Sequence, residues 1–198
     1  MQNTFNNLST EKKSRIIHAL LDEFNEFPFE QASVKGIIDR AKISRGSFYQ
    51  YFEDLEAAYF FILDRYTMDT HDVFMHFLKE NAFYLQAALQ QYGDWIEENI
   101  IENPYKNLYK FKFLHWNAAL EKDYISYKSK NNLSPNTEAF QHTSAKLSAN
   151  EVSLFIKAVI HALIRRAFHD NWSKETFLII YQKHIEWIIG GVKDAGTF

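Results

Sequence analysis

The chain has 198 residues, of which 46% are hydrophobic and 17% aromatic, so it can bury a sizeable core in one or two small domains. Its formal net charge is -3 and it contains no cysteine, which excludes a disulfide framework, a cysteine-based zinc site and a thiol nucleophile. Only six glycines and three prolines occur, and this scarcity predicts long helices rather than many short strands. The polar amino end does not resemble a secretory signal, and no apolar run of about 18 residues occurs, so we expect a cytoplasmic protein without a membrane span.

A first amphipathic helix is predicted to begin after Ser9 or Thr10, either of which can cap its amino end. Its apolar residues recur at helical spacing and form one stripe: Ile16, Ile17, Leu20, Leu21 and Phe24. The helix should end near Phe27-Pro28-Phe29, because a residue before proline is disfavoured in the helical conformation. The two phenylalanines are then expected to pack beneath the segment that follows.

Residues 33–52, with the sequence SVKGIIDRAKISRGSFYQYF, predict two short helices joined by a tight turn. Ser33 and Ser44 can each cap one of these helices. In the second helix Phe48 and Phe52 are spaced i and i+4, so both should be buried. The other residues should lie on or near the outer surface: Arg45, Gly46, Ser47, Tyr49, Gln50 and Tyr51. This arrangement is a helix-turn-helix.

The outer face of this second helix has the residue types that bind a DNA duplex. Arg45 lies in the first turn, where a recognition helix meets base edges, and its planar guanidinium can bond guanine O6 and N7 together. Hydroxyl groups suit phosphate oxygens, and Gly46 would let the backbone approach DNA closely. Four basic residues accompany one acid within residues 33–52. The predicted DNA-binding residues are Ser33, Lys35, Lys42, Ser44, Arg45, Gly46, Ser47, Tyr49, Gln50 and Tyr51.

Each of these features alone has an ordinary structural explanation. Phe48 and Phe52 are core residues under either interpretation, exposed tyrosines are usually plain surface aromatics, and a basic patch is usually a solvated face. In combination, the caps, the turn length, the glycine and the aromatic pair favour DNA contact.

The segment Ser44-Arg-Gly-Ser-Phe-Tyr-Gln-Tyr-Phe52 resembles the recognition helix of the tetracycline-repressor (TetR) family, whose pattern is Ser/Thr-x-Gly-Ser/Thr-aromatic-Tyr-x-His/Tyr-Phe. The resemblance extends from Leu8 to about Tyr66. It implies a dimeric transcription factor, usually a repressor, with a variable ligand-binding domain behind the DNA-binding head. Family members often carry a phosphate-binding lysine just after this helix, where this chain has Glu53-Asp54-Leu55. Phosphate binding would then depend on backbone amides and on three side chains: Lys35, Tyr49 and Tyr51.

The middle of the chain is also predicted to be helical. Asp54 should start a long helix that runs without a breaker to about residue 78 and acts as a lever, and a further helix should span about 83–101. Asn103 should cap the next helix, with Pro104 at its first position. Residues 122–149 are polar and broken, so we predict a loop with short helical pieces there.

Two amphipathic helices are predicted at the carboxyl end, the first capped by Asn150 and the second capped by Ser173 and ended by Gly190-Gly191. Such a hairpin can form the core of one bundle or pair with its copy across a two-fold axis. One helix-turn-helix reads few base pairs, whereas a symmetric pair reads two half-sites, which favours a homodimer through residues 150–189. The predicted interface residues are Phe155, Val159, Leu163, Phe177, Tyr181, Ile185 and Ile188.

Large aromatic residues are frequent in the middle of the chain. Aromatic side chains at helical spacing more often form a core than a ligand pocket, so the ligand interpretation depends on the family resemblance. A pocket of this composition would suit a small, mostly apolar ligand. The predicted pocket residues are Phe61, Phe74, Phe77, Tyr92, Trp95, Phe111 and Trp116.

Catalytic and metal-binding motifs do not occur in the sequence. His71 and His76 are five apart and His161 and His169 eight apart, neither of which is the i, i+4 spacing of a helical zinc site. The sequence has no glycine-rich phosphate loop and no Gly-x-Ser-x-Gly elbow. We therefore expect no enzyme activity, no metal and no cofactor.

These patterns predict an all-α fold of about nine helices, with a three-helix helix-turn-helix DNA-binding domain in residues 1–53 and a helical dimerisation domain in residues 54–198. The family resemblance implies that this second domain also binds an effector and that the protein is a repressor. The predicted function is that of a dimeric repressor, released from a palindromic operator on double-stranded DNA by a small apolar effector. One alternative is an effector-independent DNA-binding protein whose second domain serves dimerisation or a protein partner. A second alternative is a protein-interaction module without DNA binding.

Overall fold

The computed structural model describes residues 3–67, 70–131, 133 and 144–194. These residues form an all-α fold, as predicted, with eleven helices rather than about nine. The helices are α1 Asn3–Asn6, α2 Thr10–Glu26, α3 Val34–Ala41, α4 Arg45–Tyr51, α5 Leu55–Tyr66, α6 Thr70–Glu80, α7 Leu85–Ile96, α8 Lys106–His115, α9 Ala118–Lys130, α10 Ser144–His169 and α11 Lys174–Asp194. A π-helical segment, Glu97–Ile101, continues α7. Among the described helices, none is long and apolar enough to cross a membrane.

The helices pack into two compact units. The first unit combines Met1–Met68 with Tyr105–Pro135, and the second combines Asp69–Pro104 with Asn136–Phe198. The sequence-based division after residue 53 does not coincide with these packing units, because α5 and α8 pack against α2 and α9 packs against α5.

A short helix that the sequence did not predict covers part of the core of the first unit. Phe5 of α1 is buried, and its ring lies 5.9 Å from that of Tyr51, 5.5 Å from that of Phe52 and 5.4 Å from that of Phe61, measured between centroids. Thr4 of the same helix donates a hydrogen bond to the carbonyl oxygen of Gln50. Helix α1 is therefore fastened to the carboxyl end of α4.

The predicted single helix over residues 54–78 is wrong. Asp54 does cap α5, with its Oδ1 accepting from the Ala57 amide at 2.7 Å, but α5 ends at Tyr66 because Thr67 has an extended backbone (φ -117°, ψ 112°). The buried hydroxyl of Thr67 donates to the Leu63 carbonyl oxygen at 2.6 Å, which satisfies one of the last carbonyls of the helix. Helix α6 begins separately at Thr70 and belongs to the other unit, so α5 and α6 are two helices rather than one.

The predicted cap at Asn103 is also wrong. The Asn103 side-chain amide donates to the Asn99 carbonyl oxygen at 2.9 Å, and α8 begins only at Lys106. The cap comes instead from α2, where Asn25 Oδ1 accepts from the amides of Asn107 and Leu108 at 3.1 and 3.3 Å. The capping side chain comes from 82 residues earlier in the chain. The sequence next to α8 therefore gives no sign of this cap.

Three further boundaries differ from prediction. Within residues 122–149, α9 is a continuous helix to Lys130, capped by Asn117, and the predicted loop over 132 and 134–143 lies outside the described residues. Helix α10 begins at Ser144, so Asn150 lies inside the helix rather than at its cap. Helix α11 is capped by Ser173 as predicted, with Oγ accepting from the Thr176 amide at 3.2 Å, but it runs through both glycines to Asp194.

Helices α7 and α11 pack against each other in the second unit. Tyr181 is buried and donates its hydroxyl hydrogen to the Leu89 carbonyl oxygen of α7 at 2.8 Å. Burial raises the pKa of this phenol well above its ordinary value. Its ring lies so close to α7 that a Cβ at Gly93 would come within 2.3 Å of Cε1. A glycine at position 93 therefore allows α7 and α11 to approach each other closely.

Candidate nucleic-acid interface

Helix α4 is held from behind and capped in front, as the sequence predicts. Phe48 is 0% exposed and Phe52 is buried with it, their ring centroids 5.5 Å apart. At the amino end, Ser44 Oγ accepts from the Ser47 amide at 3.0 Å. The two phenylalanines fix the helix to the core of the first unit, and the residues opposite them remain exposed.

The turn between α3 and α4 is built by Lys42. Its backbone is left-handed (φ 52°, ψ 50°) and ends α3, with its amide donating to the Ile38 carbonyl oxygen. The next amide, of Ile43, donates to the same carbonyl oxygen at 3.2 Å. A left-handed residue at a helix end reverses the chain within two residues. The tight turn that the sequence predicted is therefore present, and the exposed lysine side chain lies between the two helices of the motif.

The exposed face of α4 carries an ordered cation. The guanidinium of Arg45 donates to the Tyr49 hydroxyl at 3.1 Å, and its Cζ lies 5.5 Å from the centroid of the Tyr49 ring. Gly46 of the same helix lies on an open surface, since the nearest described atom to a Cβ built there is Ser44 Oγ at 3.9 Å. Packing within the chain therefore does not require glycine at position 46, which fits a close approach of DNA.

The serine hydroxyls of the motif differ in whether a hydrogen remains free to donate to a phosphate. Ser33 caps α3 by accepting from the Gly36 amide at 3.0 Å. Its only hydroxyl hydrogen is donated to Glu23 Oε1 at 3.2 Å, so Ser33 positions the helix and has no hydrogen for a phosphate. Ser44 and Ser47 share one hydrogen bond at 2.9 Å between their Oγ atoms, and one of their two hydrogens remains available.

The prediction that Tyr51 lies on the outer surface is wrong. Its side chain is only 4% exposed, because Phe5 of α1 packs edge-on against the ring and the Lys12 ammonium lies 5.8 Å from its centroid. A role for this hydroxyl in phosphate binding has no support in the fold. The α1 residues that cover Tyr51 show no amphipathic pattern, which is why sequence periodicity placed the ring on the wrong side.

The charges around the motif fall into two groups. Lys35, Lys42 and Arg45 are exposed. Arg40 is paired with an acid of its own chain, since its Nη2 donates to Glu26 Oε2 at 2.6 Å. This hydrogen bond raises the pKa of the guanidinium. Beyond α4, Glu53 is exposed where family members often carry a lysine. The exposed cations of the motif therefore lie between positions 35 and 45.

The predicted pocket residues are distributed over both units. Phe61, Phe111 and Trp116 belong to the first unit and Phe74, Phe77, Tyr92 and Trp95 to the second. Several already pack against neighbours, as in the contact between the Phe74 and Tyr92 rings at 5.6 Å. None of the seven lines either of the following two recesses in the described part of the chain. One of these is a recess of about 260 Å³ where the end of α4 and the start of α5 face α9, and the other is a groove of about 750 Å³ between α7 and α11.

Most of the predicted dimer residues are buried within their own chain. Leu163, Phe177, Tyr181, Ile185 and Ile188 belong to the core of the second unit, and Val159 is half-buried. Phe155 is 53% exposed. Among the side chains that the structure describes on α10 and α11, the exposed large apolar ones are Leu154, Phe155, Ile179 and Trp187.

Two protein-family models match this chain, one in its amino-terminal part and one in its carboxyl-terminal part. The family described as "Bacterial regulatory proteins, tetR family" matches residues 16–57, and the family described as "Tetracyclin repressor, C-terminal domain" matches residues 85–191. A curated relative, the uncharacterized HTH-type transcriptional regulator YuxN of Bacillus subtilis (strain 168), is 25% identical over 157 residues, or 79% of this chain. The match covers 47% of YuxN, so the chain spans about half the length of that relative.

A solved structure shares the fold. The crystal structure of a TetR family transcriptional regulator from Chloroflexus aurantiacus J-10-fl superposes with a TM-score of 0.55 at 20% sequence identity, over 96% of this chain and 97% of that one.

Proposed function

Because the chain belongs to the tetracycline-repressor family, we propose that it is a DNA-binding transcriptional regulator that binds a palindromic operator as a homodimer. The observation that carries this proposal is the exposed polar face of α4, where Arg45 is ordered by Tyr49 and the helix is fixed from behind by Phe48 and Phe52. A rigid helix of this kind can present side chains to base edges without first being ordered by DNA.

In the proposed complex α4 lies in the major groove. Arg45 reads guanine through O6 and N7, and Gln50 lies on the same exposed helix, where an amide can pair with adenine. Lys35, Lys42 and Tyr49 contact phosphates, which position the protein without specifying sequence. Regulation of chromosomal DNA by such a protein takes place in the cytoplasm.

A second copy of the chain is the proposed partner of α10 and α11. The outer dimer face, which we define as Leu154, Phe155, Ile179 and Trp187, exposes large apolar side chains on both helices. Apart from Phe155, these are not the interface residues predicted from the sequence, because most of those are buried within their own chain and cannot contact a partner. A symmetric dimer would present two α4 helices to half-sites about 34 Å apart, or a multiple of that distance.

We further propose repression relieved by a small, mostly apolar effector. The alternative keeps the DNA-binding motif and assigns α6 to α11 to dimerisation or to a protein partner, without an effector. An effector can release DNA only if it binds the DNA-free arrangement more tightly than the bound one.

The proposal is tested by selecting bound duplexes from a random-sequence pool with the purified protein. We expect enrichment of an inverted repeat that binds as one dimer per duplex. Repeating the binding with a collection of small apolar metabolites separates the two versions, because release by one compound supports the effector and release by none supports the alternative. Failure to enrich any sequence would contradict operator binding.

A further inference from the structure

We propose that Arg15 and Glu23 of α2 are positioning residues that hold α3 at both ends and thereby set the pose of α4 on DNA. This inference rests on the proposed DNA-binding function and explains how the motif is kept in register. Helices α2 and α3 pack against each other in the first unit. The two side chains together are called the α3 clamp below.

The Glu23 carboxylate holds the amino end of α3. It is only 2% exposed, and its Oε1 accepts from the Ser33 amide at 2.8 Å and from the Ser33 hydroxyl at 3.2 Å. Its Oε2 is buried without a hydrogen bond and lies 3.4 Å from Arg40 Nε. Burying a carboxylate costs free energy unless it is paired. The contacts with Ser33 and Arg40 therefore hold the Glu23 side chain in this position. The negative charge also matches the positive end of the helix dipole.

Position 36 is shaped to this carboxylate. A Cβ built on Gly36 would come 2.1 Å from Glu23 Oε2 and 2.5 Å from its Cδ. Any side chain at position 36 would therefore displace the carboxylate from Ser33. The smallest residue on α3 and a buried acid on α2 form a complementary pair.

The Arg15 guanidinium holds the other end. Its Nε donates to the Ala41 carbonyl oxygen at 2.8 Å, and Ala41 is the last residue of α3. A cation at this end matches the negative pole of the helix dipole. Because Arg15 lies near the start of α2 and Glu23 near its end, the two helices run antiparallel and each charge meets the opposite pole.

The position of α4 follows from that of α3. Only Lys42, Ile43 and Ser44 separate the two helices, and the Ile43 amide is bonded back to Ile38 of α3 at 3.2 Å. A shift of α3 would therefore carry Lys42 and the start of α4 with it. We conclude that the α3 clamp acts on DNA binding through Lys35, Lys42 and Arg45 rather than by touching DNA.

The test compares Glu23→Ala, Gly36→Ala and the double variant with the wild-type chain, using Asp22→Ala as an exposed control on the same helix. DNA affinity is measured against salt concentration, and the active fraction is obtained by stoichiometric titration. We expect each single variant to bind about tenfold more weakly, with a shallower salt slope because fewer phosphates are contacted. A variant that is only less stable would have a smaller active fraction with an unchanged slope.

The double variant shows whether Glu23 and Gly36 affect DNA affinity through their mutual contact or independently of each other. Glu23→Ala makes room for the new Cβ at position 36, so adding Gly36→Ala to it should weaken binding by less than twofold, against about tenfold in the wild-type background. Full additivity of the two losses, or unchanged affinity and salt slope in both single variants, would overturn the proposal.

Amide hydrogen exchange tests the α3 clamp without DNA, with the amides of α7 as an internal reference. We expect faster exchange in residues 34–41 of Glu23→Ala and a smaller increase in Glu23→Gln, which keeps the side-chain volume and an acceptor for Ser33. Unchanged exchange in these residues would overturn the proposal. If the wild-type chain bound no duplex while α3 exchanged faster in Glu23→Ala, the DNA-binding function would fail and the α3 clamp would stand.

Discussion

The guanidinium of Arg45 donates a hydrogen bond to the hydroxyl of Tyr49, with 3.1 Å between Nη2 and the hydroxyl oxygen, one turn apart on α4. The bond uses an acceptor position of the hydroxyl and leaves its hydrogen for a phosphate. Holding a long side chain in place before binding reduces the conformational entropy lost on contact with DNA. The pair therefore links a residue that reads sequence to one that positions the helix.

The first prediction concerns this pair. Arg45→Ala should lose about 1 to 3 kcal/mol of binding free energy per half-site and relax the preference at one base pair, because a bidentate guanine contact is removed. Tyr49→Phe should weaken binding to all sequences and also relax the preference at the same base pair, since Arg45 is released. Affinities for the selected operator and its single-base variants measure both effects, with Arg65→Ala as an exposed cation control. An Arg45→Ala variant with full sequence preference would place the base contact elsewhere.

The features that the sequence predicted correctly depend on neighbouring residues. Caps by Ser33, Ser44 and Asp54 use an acceptor and an amide three residues apart, so spacing alone identifies them. The burial of Phe48 and Phe52 follows from helical periodicity in the same way. The DNA-binding motif is compact in sequence, and this is why its geometry could be predicted.

Two of the features that were missed depend on residues far apart in the chain. Tyr51 is covered by Phe5, and the amino end of α8 is capped by Asn25. Neither partner can be identified from local periodicity. The burial of Glu23 had one available signal, since this acid adjoins the apolar stripe of α2, but its match to Gly36 became visible only when both helices were placed.

A second prediction separates the two roles of Lys42. Replacing it with glycine removes the strain of a left-handed backbone, so the free energy of unfolding should stay the same or rise by up to about 1 kcal/mol. DNA affinity should nevertheless fall, with a decrease of about one in the salt slope per protomer, because a phosphate contact is lost. Chemical denaturation and salt-dependent binding measure the two quantities. Unchanged affinity with raised stability would show that Lys42 serves only the turn.

A third prediction tests the outer dimer face. Phe155→Glu and Trp187→Glu should each convert the dimer to a monomer, because a charge would be buried against an apolar partner surface. Trp187 is 67% exposed in the single chain, so neither change should disturb the core. Ile125→Glu on α9 is a matched control, since it also places a charge on an exposed apolar residue. Sedimentation equilibrium gives the result, and a dimer that persisted in both variants would place the interface elsewhere.

A fourth prediction concerns the pH dependence of stability through Glu56. The pKa of this carboxyl is raised above its ordinary value, mainly by partial burial and to a smaller extent by the nearby negative charges of Asp123 and Asp54. The folded state therefore holds the proton to a higher pH than the unfolded state does, and stability falls as pH rises through that interval. Glu56→Gln should therefore raise the melting temperature at pH 7.

The advantage of Glu56→Gln should vanish below the ordinary pKa of a glutamate, where the wild-type carboxyl is protonated in both states. Glu53→Gln, an exposed neighbour, serves as the control. Thermal unfolding of the three proteins between pH 4 and 7 provides the comparison, at pH values chosen around the reference glutamate pKa of about 4.3. An advantage of Glu56→Gln that did not depend on pH would contradict the electrostatic explanation.

The most direct test of the account is the salt dependence of affinity for the selected inverted-repeat duplex. We predict that the logarithm of the association constant falls linearly with the logarithm of the salt concentration, with a slope that reports several phosphate contacts. The selected duplex should also bind at least about a thousandfold more tightly than an unrelated duplex at the same salt concentration. A purified dimer without salt-sensitive affinity for any duplex would contradict the claim that α4 is a recognition helix.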